Sequence, residues 1–165
     1  MTASKPSEAK LSEAKLLGGS ESDRKKLLQL LDEYIVANGR FDWDQLKPIW
    51  SALPAATFFN LNGHTYNGPE HWRRLWAFYK DNVEGSYWTP FDIGGVITGE
   101  MAVIWCHRDS HRHWVGKDQP PRDIHYQGDK FITRSTMVFH KEAGDWRVVH
   151  AHFSEADPGP RPGGI

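Results

Sequence analysis

Near the C-terminus, two runs rich in β-branched and aromatic residues are joined by a few residues that include Ala143-Gly144. The runs are Phe131-Ile-Thr-Arg-Ser-Thr-Met-Val-Phe-His140 and Asp145-Trp-Arg-Val-Val-His-Ala-His-Phe-Ser154. The pattern reads as a long β-hairpin, and the rest of the chain becomes what must pack against it. Its faces depend on the loop. With Ala143-Gly144 alone as the loop, Met137 shares a face with His150 and His152. With Glu142-Ala-Gly144 and a left-handed bulge at Gly144, Met137 joins Val149, Ala151 and Phe153. Arg134, Thr136, Trp146, His150, His152 and Ser154 then take the other face. A side-chain period of two makes the readings exclusive. The bulged loop is the better one: Ala-Gly is a poor type I′ pair, glycine suits the bulge, and the faces then separate by polarity.

Upstream, residues 1–19 are polar and repeat Ser7-Glu-Ala-Lys as Ser12-Glu-Ala-Lys, which predicts a loose leader. Ser20-Glu-Ser-Asp23 offers caps for a helix over about 22–38, with Leu27, Leu28, Leu31, Tyr34 and Ile35 at helical spacing. Asp42 opens a second helix, which Pro48 keeps short. Residues 56–61 read as a strand, Asn62-Gly63 as a hairpin turn and 64–66 as its return. Gly68-Pro69 starts a third helix with Trp72, Leu75, Trp76 and Tyr79 on one face. Two long strands follow, 86–97 and 101–114, then a polar connection centred on residues 116–121. The Pro/Gly-rich segment 157–165 reads as a disordered tail. One α+β domain over 20–156 results, with helices on the concave face of a curved, mainly antiparallel sheet.

Charge excludes some functions. Lys and Arg number 20 against 21 acidic residues, so no global field favours nucleic acid or an anionic membrane. One cysteine, Cys106, forbids an internal disulfide and fits a reducing compartment. Neither a stretch of roughly 20 apolar residues nor an apolar signal core is present, so a cytoplasmic location is expected. The sequence holds eight Trp, more than a minimal core needs, which suits an aromatic-lined cavity or a subunit contact. No phosphate loop or Cys–His nucleophile pair is found, and no cofactor is expected. His107, His111 and His113 share a strand face but sit about 7 Å apart along it, too far to converge on a metal.

The element order, with Arg134-x-Thr136-x-Val138, Gly144-x-Trp146 and Val149-His-x-His-x-Ser154, resembles the nuclear-transport-factor-2-like superfamily over residues 22–155. SnoaL-like proteins and the association domain of calcium/calmodulin-dependent kinase II look most similar. The resemblance implies a cone with a pocket between helices and sheet, and a homodimer or higher homo-oligomer. Of three basic pocket positions in the kinase domain, one falls on Arg108 and the others on Met137 and Phe153. The convex face, where such folds commonly dimerise, would carry Arg134, Thr136, His150 and His152, with Trp105 and His107. Ketosteroid isomerase is a more distant resemblance. Its oxyanion tyrosine falls on Tyr34 and a pocket tyrosine on Trp76. Its carboxylate base falls on Asn60 and its second oxyanion group near Thr136 or Met137, so its mechanism is not expected here.

Three functions follow as expectations. In the first, the pocket binds a small, mostly apolar organic ligand through Tyr34, Asn60, Trp76, Tyr79, Arg108, Met137 and Phe153. In the second, the protein is a lyase, dehydratase or isomerase with His64 or His107 as base and Tyr34 as electrophile, or with a His64/Asp92 pair. In the third, it is an oligomerisation module without chemistry. A histidine within reach of Tyr34 would favour the second.

Overall fold

A computed structural model describes residues 11, 13–121, 131–157 and 159–163. In chain order its elements are β1 (Lys15–Gly18), α1 (Glu21–Gly39), α2 (Trp43–Leu46), β2 (Thr57–Phe59), β3 (Thr65–Asn67), α3 (Gly68–Asn82), β4 (Val83–Thr98), β5 (Met101–Trp114), β6 (Phe131–Glu142) and β7 (Asp145–Glu155). The strands form one curved, unclosed sheet in the order β1-β4-β5-β6-β7-β2-β3. Neighbours run antiparallel except β1 with β4 and β2 with β7. No helix is long and apolar enough to cross a membrane.

Local chemistry sets the helices as read. Ser20 caps α1 by accepting from the Asp23 N–H at 3.1 Å. Asp42 caps α2, which stops within four residues as Pro48 approaches. Pro69 sits in the first turn of α3, whose buried face is Trp72, Leu75, Trp76 and Tyr79. The helices cover one face of the sheet. On β5 that face buries Ala102, Ile104, Cys106, Arg108, Ser110, Arg112 and Trp114 in strict alternation.

Several expectations need correction. Lys15–Gly18, assigned to the leader, form β1, paired with Gly94–Ile97 at the sheet edge; residues 1–10 and 12 lie outside the described residues. The C-terminal loop is the two-residue one. Glu142 pairs with Asp145, and Ala143 (φ 51°) and Gly144 (φ 90°) both adopt left-handed backbone. The faces nevertheless fall close to the bulged reading, because the irregularity sits seven residues on from Glu142. Phe139 pairs with Val148 but Val138 with His150, leaving Val149 as the extra residue. Met137, Ala151 and Phe153 therefore share the concave face. Trp146, placed outside by the sequence reading, is buried beside Val148, and Val149 leaves the core set. The 62–63 turn is also one residue longer than expected. Asn60 N–H donates to the His64 carbonyl at 3.1 Å, and Gly63 takes the left-handed position (φ 82°).

Candidate functional site

Between α1, α3, the β2–β3 turn and the concave face lies a cavity. Its lining includes Tyr34 and Asn38 from α1, Asn60 and Leu61 after β2, Leu75, Trp76 and Tyr79 from α3, Arg108 and Arg112 from β5 and Phe153 from β7. Periodicity explains the set. Tyr34 and Asn38 are one helical turn apart, as are Leu75 and Tyr79, and Arg108 and Arg112 share a strand face. The open volume is only about 10 Å³, room for about one water molecule.

Arg108 is the dominant group. It is 1% exposed, and its Nε donates to the Thr133 hydroxyl at 3.1 Å. The Thr133 hydroxyl accepts from the arginine and lies 2.9 Å from Ser110 Oγ, a contact in which either hydroxyl can donate. Ser110 then donates to the Arg108 carbonyl at 3.2 Å, closing a ring of neutral partners. The guanidinium carbon lies 4.4 Å from the Phe153 ring centre and 5.9 Å from that of Trp88. Arg112, 5% exposed, lies 5.0 Å from the centre of the same indole and 5.5 Å from that of the Tyr79 ring. Among the described residues the lining carries two guanidiniums and no carboxylate. Burial pulls the Arg108 pKa down, but a guanidinium remains charged at neutral pH.

Tyr34 stacks on Phe153, with ring centres 6.1 Å apart. Burial pushes its phenol up to about 12, partly offset by the positive charge of Arg108. It therefore stays protonated and can donate a hydrogen bond, but cannot serve as a base near pH 7. Asn60 donates to the Tyr79 hydroxyl at 3.3 Å.

Of the residues singled out in the sequence, Tyr34, Asn60, Trp76, Tyr79, Arg108 and Phe153 are brought together. Met137 is buried on the same face but outside the cavity wall. His64 and His107 do not join Tyr34. His64 lies in a shallow groove on the outer surface. His107 is on the convex face, its Nδ1 3.3 Å from Asp92 and its ring stacked on Phe91. Asp92 thus meets His107 rather than His64. No histidine lines the cavity among the described residues. His111 stacks on Tyr87, away from His107. Arg112 was missed because it sits in a histidine-rich run, although counting by twos from Arg108 reaches it.

The convex face carries Arg134, Thr136, His152 and Trp105 exposed, with His150 half-buried. Arg134 donates to Ser154 Oγ at 3.1 Å, and Thr57 Oγ1 lies 2.6 Å from His150 Nδ1. Burial, then the neighbouring His152, holds His150 below the usual histidine range.

The family model of the SnoaL-like domain matches residues 27–158. Solved structures share the fold at low identity. An NTF2-like superfamily protein from Salmonella enterica is 16% identical and covers 86% of this chain and 96% of its own, with a TM-score of 0.71. An NTF2-like family protein from Streptomyces avermitilis, provisionally named a dehydratase, is 18% identical over 84% of this chain and 99% of its own (TM-score 0.68). A protein of Exiguobacterium sibiricum, provisionally named a calcium/calmodulin-dependent kinase II association domain, is 13% identical over 86% and 99% (TM-score 0.63). No curated protein matches the sequence significantly. Since the family model spans most of the chain, including every strand from β2 to β7, the protein belongs to the SnoaL-like domain family.

Proposed function

We propose that the chain binds a small, mostly apolar organic acid whose carboxylate meets Arg108, with the Tyr34 hydroxyl as a second donor. One observation carries this reading: Arg108 is buried among neutral hydroxyls and ring faces, with no carboxylate in the cavity lining among the described residues. Burying a guanidinium costs several kcal/mol unless an anion offsets it, and a ligand carboxylate would do so. The cavity holds about one water, so lining side chains must move for a ligand to enter. An acid–base enzyme pairing Tyr34 with a histidine finds no support in the placement of His64 and His107. Phenylacetate, titrated calorimetrically, is expected to bind the wild type and to lose at least tenfold in affinity in Arg108→Met. Equal affinity in both would overturn the assignment.

The same reading includes self-association through the convex face. That face exposes Val96, Met101 and Trp105, with Ile132 further along β6, on strands whose other side is filled by the helices. The resemblance to a protein provisionally named an association domain points the same way. Sedimentation is expected to show a dimer that Trp105→Glu converts to monomer. A wild-type monomer at tens of micromolar would refute it.

A further inference from the structure

Just outside the cavity wall lies a groove of about 580 Å³, lined in part by Asn62, His64, Tyr66, His71 and Phe78. Leu75 lines both spaces. Leu61 faces the cavity, while its neighbour Asn62 faces the groove. Asn62 Nδ2 lies 2.8 Å from the Tyr66 hydroxyl and 3.4 Å from that of Tyr79, which Asn60 approaches from the cavity side at 3.3 Å.

The tip of the turn is exposed. A side chain at Gly63 would touch nothing within 4 Å, whereas the strands behind it are held by β2–β3 and β2–β7 pairing over three residues each. An exposed turn tip opens at lower cost in free energy than the sheet behind it. The groove offers aromatic rings beside one exposed guanidinium, that of Arg74, which is held by Glu70. Phe78 is 43% exposed, with its ring centre 5.5 Å from that of Tyr79, and Tyr66 and two imidazoles stand nearby.

We propose that cavity and groove are the two halves of one ligand site, and that its occupant is an aryl-alkanoic acid. The carboxylate meets Arg108, the methylene chain passes Leu61 and Leu75, and the aromatic end lies against Phe78, Tyr66 and His64. This rests on the anion-anchoring reading above, and it explains how a cavity with room for one water serves a larger molecule. It also gives His64 a contact role without acid–base chemistry.

The test is a chain-length series, phenylacetate through phenylhexanoate, titrated into the full chain. Affinity is expected to rise by roughly threefold per methylene once the ring reaches the groove. Phe78→Ser, at an exposed position that should not disturb folding, is expected to lower the longest member's affinity about tenfold and to leave phenylacetate within about twofold. A flat series in which Arg108→Met still abolishes phenylacetate binding would overturn the two-part site while leaving the anchor intact. Failure of every member to bind would overturn both.

Discussion

At the scale of single residues, the protein's chemistry is concentrated in a guanidinium that the fold would be easier to build without. Arg108 occupies a position where its neighbours on the strand face, Cys106 and Ile104, are apolar or nearly so, and where burial pushes the Cys106 thiol up as well. Tyr34 is held in the same dry environment. Direct ultraviolet titration is expected to show a tyrosine step near pH 12 that vanishes in Tyr34→Phe. A step near pH 12 that persists unchanged in Tyr34→Phe would remove Tyr34 from that role. Arg108 and Tyr34 were legible in the sequence through resemblance, whereas Asn38 and Arg112 were missed although their spacing from those two leads to them. His64 and His107 misled because residue type names a possible chemistry, while the face on which a strand places it depends on register.

At the scale of elements, the two hairpins exchanged their loops relative to expectation. Asn62-Gly63 has the sequence of a two-residue turn but sits in a loop one residue longer, and Ala143-Gly144 closes the tighter one. Local preference is weaker than the need to keep Trp146, Val148, Ala151 and Phe153 all in the core. The bulge at Val149 shifts the face midway along β7, which two loop-based registers could not describe. The tie between β6–β7 and α1 was also invisible to sequence. Asp23 accepts from Lys141 at 2.7 Å, Ser20 at 2.8 Å and Trp146 Nε1 at 2.9 Å. Lys141, then Ser20 and Trp146, hold its carboxyl well below the ordinary 3.8. A depressed native pKa stabilises the fold above the unfolded value and loses that contribution as the pH falls. Acid unfolding should therefore begin below about pH 4, and Asp23→Asn should lower the neutral Tm by a few degrees while flattening its dependence on acid. Parallel acid limbs for both proteins would remove Asp23 from that role.

At the scale of the whole molecule, an α+β sheet with helices on one side was readable because period two and period 3.6 alternate clearly along the chain. The added edge strand β1 was not, since Lys15–Gly18 carries no alternation and gains its place only from the exposed edge of β4. The cavity's closure was equally hidden, because volume depends on how Leu61, Leu75 and Phe41 meet across three elements. On the anion-anchoring reading, the chain tolerates a buried Arg108 with no carboxylate in the cavity lining because a ligand anion completes it. Urea unfolding of the wild type and Arg108→Met, each with and without phenylacetate, tests this most directly. Without ligand the methionine variant is expected to be more stable by roughly 1–2 kcal/mol, as relief of a buried charge should make it, and to gain nothing from phenylacetate, whereas the wild type does. A variant that is less stable than the wild type, yet stabilised by phenylacetate to the same degree, would contradict it.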